Sequence, residues 1–278
     1  MQVKTLIGLA SIGAASAAFS GYLLRRKPNY LRYAVSGASF LIPFGIYSAV
    51  KSAFATTILF VSDTHDTRRD VSTRIAQAML TEPGVDLVVH GGDVADENCT
   101  LYDAWWDTPY AAVRERWNVI GVNGNHDNVG CFTQRFGTLP RKVTVNDVDF
   151  FLLPWGGGST SLQWLDAETA ASTARWKVLV AHKGAWQVSA NEGRIYGPSA
   201  ELSRILMRID LVLAGHNHVF WDSTHIVGNH NVRQIIEVTS GKFYKCVPSA
   251  RECVEGVRGF SRIAFTPDGI RVERRVVR

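Results

Sequence analysis

No Cys-x-x-Cys pair occurs anywhere in the chain, so the sequence offers no sign of a structural zinc site. It holds no internal repeat and no low-complexity tract, and its charged residues amount to only 20%, a composition that excludes wholesale disorder. Its excess of basic charge is small, +5 over 278 residues, and scattered apart from Arg25-Arg26-Lys27 and the tail Arg271-Val272-Glu273-Arg274-Arg275. A nucleic-acid footprint concentrates charge more than this, so a nucleic-acid partner is not expected. What is present is apolar, 46% of residues, enough for one substantial domain and a smaller extension. Cysteines number four. Cys246 and Cys253 bracket a short loop, while Cys99 and Cys131 each follow a polar motif. Disulfides in an oxidising compartment and four ordinary thiols both remain open.

The extension is N-terminal, residues 1–55, ahead of a domain over residues 56–278. Residues 5–24 form a run of about twenty without a charge, long enough to span a bilayer. Arg25, Arg26, Lys27 and Arg32 follow, then a second uncharged run over residues 33–50, broken by Pro43. Three readings compete: a signal peptide with Ala14-Ala15-Ser16-Ala17-Ala18 near a cleavage site, one or two transmembrane helices, and two soluble helices. Neither run shows a polar face at helical spacing, which favours a membrane anchor. The basic loop then lies on the cytoplasmic side. Two spans would put the domain on the exoplasmic (periplasmic) side and one span on the cytoplasmic face. Cleavage would release it as a secreted protein.

After residue 55 the pattern becomes one of short apolar runs ending in polar or glycine residues, at residues 58–61, 86–89, 118–122, 177–181 and 210–214. These read as strands buried on both faces. Helical stripes lie between several of them, over residues 70–80, 161–174 and 199–209. Residues 142–153 and 260–277 read as antiparallel pairs around Asn146-Asp147 and Pro267-Asp268-Gly269. The expectation is an α/β fold with mixed sheets.

The polar residues are what make this arrangement specific. The five runs lead into Asp63-Thr64-His65, Gly92-Asp93, Asn125-His126-Asp127, His182 and Gly215-His216-Asn217-His218. In open α/β sheets, ligands bind outside the carboxyl ends of the strands. Singly, each motif is more ordinary as a turn or a surface histidine. Jointly they place five of the eight histidines at strand ends, which points to a shared metal site. Mixed imidazole, carboxylate and amide donors suit Zn, Mn or Fe rather than Mg or Ca. Seven candidate ligands suit two ions that share a carboxylate, an arrangement used most often for displacement at phosphorus.

The order Asp63-x-His65, Gly92-Asp93, Gly124-Asn125-His126-Asp127, His182, Gly215-His216-x-His218 resembles the calcineurin-like metallophosphoesterase superfamily. The resemblance implies a four-layer α-β-β-α sandwich of two mixed sheets. It implies one metal on Asp63, His65 and His218, a second on Asn125, His182 and His216, and Asp93 bridging both. It further implies a hydroxide between the metals that attacks phosphorus, His126 as general acid, and Asp127 tuning His126. Asp96 stands where the purple acid phosphatase branch carries a tyrosine ligand, which disfavours that iron–tyrosinate subgroup. The leading expectation is therefore a membrane-anchored phosphodiesterase or phosphomonoesterase with a phosphoester substrate. The alternatives are a nuclease of the same chemistry and a catalytically weak binding scaffold. Trp186 and Tyr196 are open between the substrate side and the core. The run Trp155-Gly156-Gly157-Gly158-Ser159 lacks the Gly-Lys-Ser/Thr ending of a P-loop and reads as a mobile loop at the crevice.

Overall fold

Residue parity along strand β1 (Thr56–Val61) separates two cores. Leu59 and Val61 face one, Ile58 and Phe60 the other, as the two-residue period of a strand requires. The same alternation recurs in β5 (Val148–Leu152), β6 (Trp176–Val180) and β9 (Leu211–Ala214), where Phe151, Leu179 and Val212 turn away from Phe150, Val178 and Leu213. Strands buried on both faces need cover on both, and this explains their unbroken apolar sequence.

The computed structural model describes residues 55–65, 69–189, 194–239 and 243–278, and residues 55–278 form one compact unit. One sheet has the order β14-β13-β1-β2-β3, in which β1, β2 (Leu87–His90) and β3 (Val119–Gly121) run parallel. The hairpin β13 (Gly259–Thr266) and β14 (Gly269–Val276) pairs antiparallel to β1. The second sheet has the order β12-β10-β11-β9-β6-β5-β4. Its middle strands are parallel, with β4 (Arg141–Val145) antiparallel at one edge. At the other edge stand β10 (Phe220–Val227), β11 (His230–Ile236) and β12 (Cys253–Val254). A separate two-stranded ribbon joins β7 (Gln187–Ser189) to β8 (Arg194–Tyr196).

Ile58, Phe60, Val89 and Ile120 of the first sheet meet Phe150, Val178, Leu213 and Ile235 of the second in an apolar central core. Outside the first sheet pack α1 (Arg69–Leu80), α2 (Cys99–Tyr102), a π-helical turn over Asp103–Asp107, α3 (Ala111–Arg116) and α4 (Val129–Phe136). Outside the second pack α5 (Gly158–Ala171) and α6 (Ala200–Leu206). The fold is thus α/β with two mixed sheets between helical layers. The N-terminal hydrophobic segments lie outside the described residues. Among the described residues no helix is long and apolar enough to cross a membrane.

The central core generates a direct test. Phe150 is 0% exposed, so Phe150→Ala is expected to lower unfolding free energy by about 3–5 kcal/mol. Ile226→Ala, at a residue 77% exposed, should shift it by less than about 0.5 kcal/mol. Chemical denaturation of the two variants reads the difference.

Candidate active site

Three parallel strands of one sheet and two of the other end at the same edge of the sandwich. Past β1 lie Asp63 and His65, past β2 Asp93, past β3 Asn125 and His126, past β6 His182, and past β9 His216 and His218. Backbone bonds stitch the turns together, with Asp63 N donating to Gly92 O at 2.9 Å and His65 N to Asp93 O at 3.2 Å.

The turns are strained where the chemistry sits. Asp63, Asp93, His216 and His218 all have positive φ, between 50° and 68°, a region rarely used by residues with a Cβ. Close approach of the backbone adds to this. A Cβ on Gly124 would collide with the Asp93 carboxylate, and one on Gly215 with Asp63 and Ser62.

Side chains converge on Asp93. His182 Nε2 lies 3.1 Å from Asp93 Oδ2 and His65 Nε2 lies 3.9 Å from the same oxygen. The other oxygen, Oδ1, accepts the His126 backbone N–H at 2.9 Å. On one side, His218 Nε2 stands 3.2 Å from Asp63 Oδ1, and Asp63, His65, Asp93 and His218 form one buried donor group. On the other, His216 Nδ1 lies 2.9 Å from Asn125 Oδ1, and the His182 and His216 rings are 5.2 Å apart. Asp63, His65, Asp93 and His218 thus form one group, and His182, which also reaches Asp93, stands beside His216 and Asn125.

These donors fit cations. His182 Nδ1 donates to Gly91 O at 2.9 Å, which fixes the tautomer and turns the Nε2 lone pair toward Asp93. Nε2 is buried and makes no hydrogen bond in good geometry, so two electron-rich atoms face each other across 3.1 Å. A divalent ion would satisfy both. Without one, protons balance the charge: burial opposes protonation of His182, but Asp93 and Asp63 hold it up at about 9. Burial would likewise raise Asp63, yet His218 and His182 keep its carboxyl far below the usual range. Burial pushes His216 down to about 4, aided by the His182 charge.

His126 stands at the rim, its side chain 49% exposed. The carboxylate beside its Nδ1 is Asp96, at 3.0 Å, and not Asp127. Asp127 is buried and its oxygens are taken up elsewhere. Oδ1 accepts from Val94 N at 3.0 Å, Ala95 N at 3.1 Å and Tyr102 Oη at 2.7 Å, and Oδ2 accepts from Gly124 N at 2.8 Å. The carboxylate in contact with His126 is therefore Asp96, where Asp127 was expected, and Asp127 binds two site loops together.

Two further residues were not singled out from the sequence. His90 is fully buried, and its Nδ1 accepts Gly92 N–H at 3.1 Å while its Nε2 meets Thr64 Oγ1 at 3.0 Å. Burial lowers it to about 3, so it acts as a neutral strut beneath two ligand turns. Its position at the end of β2 was the available signal. Trp155 is 37% exposed, with ring centroids 5.6 Å from His182 and 5.2 Å from His216. The glycines after it, expected as a mobile loop, form a turn that opens α5 at Gly158. Trp186 and Tyr196 divide. Trp186 is buried and stacked on His225 at 3.9 Å, whereas Tyr196 lines a cavity of about 750 Å³ with Asp93, His126 and His216.

Buried imidazole and carboxylate donors gathered at Asp93, with further imidazole and amide donors beside them, at the strand ends of a double-sheet sandwich, are the makings of a metallophosphoesterase site. The chain belongs to the calcineurin-like phosphoesterase family, whose profile matches residues 56–220, more than half of its length. No curated protein is similar enough in sequence to count as a match. Among solved structures, a purple acid phosphatase, PPD1, from yellow lupin (Lupinus luteus) superposes with a TM-score of 0.62 at 13% identity. The match covers 81% of this chain and 52% of that one, so the chain spans about half the length of the lupin enzyme. PhoD superposes with a TM-score of 0.61 at 15% identity, covering 80% of this chain and 68% of that one. GAP50, the anchor in the inner membrane complex of Plasmodium, gives 0.59 at 13%, covering 79% and 84%. At such identities the likeness is one of fold.

Asp96, which contacts His126, and Asp127, which follows it in the chain, should separate experimentally. Asp127→Ala strands three backbone N–H groups and a buried tyrosine hydroxyl, and is expected to cost about 3 kcal/mol or more in stability. Asp96→Asn, at an exposed pair, should leave the thermal midpoint nearly unchanged. Thermal melts of both variants check this.

Proposed function

We propose that the protein hydrolyses a phosphomonoester or phosphodiester near a membrane surface, using two divalent cations (Mn, Zn or Fe) and His126 as general acid. The observation that carries the reading is the approach of His65 and His182 to one oxygen of Asp93. Asp63, His65 and His218 would hold one cation, Asn125, His182 and His216 the other, and Asp93 both. When bound, such a pair supplies an activated water and neutralises charge on the phosphate. Asp93 Oδ1, held by the His126 N–H, keeps the shared carboxylate from rotating. Asp96 lies 3.0 Å from His126 Nδ1 and orients the ring, so that Nε2 would be the atom that protonates the departing alkoxide. Tyr196, Phe243 and Tyr244 line the same cavity as Asp93 and His126 and would offer apolar surface to the ester group.

Residues 1–55 act in this reading as the membrane anchor of the catalytic domain at 56–278. All four cysteines are paired, as Cys99–Cys131 and Cys246–Cys253. Such pairing is at home in an oxidising compartment and supports the exoplasmic side.

His126→Ala is expected to lower turnover of an alkyl ester by roughly 10²–10⁴-fold while an activated p-nitrophenyl ester loses far less, because only the poor leaving group needs the acid. Equal loss for both would count against His126 as the acid. Asp93→Ala should reduce bound metal below two equivalents and abolish both activities. Protease added to intact cells should digest the domain if it is exoplasmic, and leave it whole if it faces the cytoplasm.

A further inference from the structure

His126 and Asp96 sit on different loops, and their contact is exposed: the side chains are 49% and 40% accessible. Exposed pairs of this kind contribute little to holding two segments in register. Farther along the two helical segments, Arg135 pairs with Asp107 at 2.6 Å and Asp103 at 3.4 Å, and Trp106 packs on Phe136, but these ties lie beyond the helix starts and away from the loop tips. Asp127 ties the deep part, through Val94, Ala95 and Tyr102. Residues 96–98 lie beyond that tie. There Asp96 meets His126 at 3.0 Å, with His65 close behind the pair.

The Cys99–Cys131 disulfide closes this gap. Cys99 opens α2 directly after its N-cap Asn98, three residues past Asp96. Cys131 lies in the first turn of α4, behind its N-cap Asn128 and five residues past His126. Both caps are built the same way, with Asn98 Oδ1 accepting Thr100 N–H at 3.0 Å and Asn128 Oδ1 accepting Cys131 N–H at 3.1 Å. The disulfide therefore joins the rigid starts of two helices, and each loop hanging from them delivers one member of the pair. Cys131 is buried, while residue 99 is exposed, so a reductant reaches the bond from one side.

We propose that the Cys99–Cys131 disulfide is a positioning element for the His126–Asp96 pair, so that its reduction weakens protonation of the leaving group while the metal ligands stay in place. The inference rests on the reading of His126 as general acid. Reduction by a dithiol breaks one S–S bond. Two electrons and two protons pass to the cysteine sulfurs, and the dithiol leaves as its own disulfide. None of the seven candidate metal ligands lies between a cap and its cysteine, and Asp93 and Asn125 remain held by Asp127 and the strand ends.

The test is the dependence of rate on leaving group. The full-length metal-loaded protein carrying Cys246→Ser and Cys253→Ser keeps only the Cys99–Cys131 bond. It is assayed before reduction, after treatment with a dithiol, and after reoxidation. The substrates are a graded series of esters from p-nitrophenyl through phenyl to methyl, with bound metal measured in parallel. Reduction is expected to lower kcat for the poorest leaving group on the order of tenfold, a part of what general-acid catalysis supplies, with p-nitrophenyl turnover within about twofold. Metal content should stay constant and reoxidation restore the rate. A purely stabilising bond would shift the melting temperature and leave the leaving-group dependence untouched, which would overturn the proposal. So would an equal fall across the series or a loss of metal. The double variant Cys99→Ser/Cys131→Ser should reproduce the reduced state. If His126→Ala itself leaves the leaving-group dependence unchanged, the general-acid reading fails. If His126→Ala changes it and reduction does not, only the positioning role fails.

Discussion

Everything at the active edge is arranged around one buried carboxylate. Asp93 is reached by imidazoles from both sides, by His65 from its own sheet and by His182 from the other, while a backbone N–H fixes its second oxygen. Burying an anion among histidines is favourable only when cations or protons answer its charge. The geometry also requires backbone at positive φ in Asp63, Asp93, His216 and His218, a strain on the order of 1–3 kcal/mol for each. Strain of that size persists only where the surroundings over-determine it. Here the central core supplies the constraint. The apolar contact between the two sheets sets where five strands end, and the strand ends set where the site side chains fall.

Around that fixed centre the supporting contacts form layers. His90 and Thr64 brace the turns from below. Asp127 gathers four donors and joins the loop after β2 to the loop after β3. Above it, at the solvent boundary, the His126–Asp96 pair and the Cys99–Cys131 bond join the same two loops again. Deep contacts thus brace the turns that carry Asp63, Asp93 and Asn125, and outer contacts the loop tips that carry Asp96 and His126. On the far side Trp155 leans over His182 and His216, while Tyr244 stacks on His218 at 4.9 Å. The centre is flanked by aromatic surface on both sides.

Much of this was legible in residue order. Five apolar runs ending in Asp, Asn, His and Gly were enough to place five strands, because strands buried on both faces leave a continuous hydrophobic signature. The segment from Cys99 to Arg116 was harder, since its helices are short and one turn is π-helical. Yet Tyr102, Trp106 and Tyr110 recur every fourth residue, and all three are buried. That stripe was the signal for it. Asp127 adjoins His126 in sequence and points away from it, whereas Asp96, thirty positions earlier, makes the contact. Adjacent side chains in a turn diverge, so neighbourhood along the chain does not report which carboxylate makes the contact.

The residues alone determined the chemistry on offer: the donor types, their order, and the strand ends that carry them. Periodicity and composition are local properties, and they survive in one dimension. Only the tertiary structure decided which donors share a carboxylate, which carboxylate attends His126, that Trp186 is packed inside while Tyr196 lines the cavity, and that Cys99 meets Cys131. Each of these depends on two segments brought together by the packing of one sheet on another, and distance in space is not written in distance along the chain.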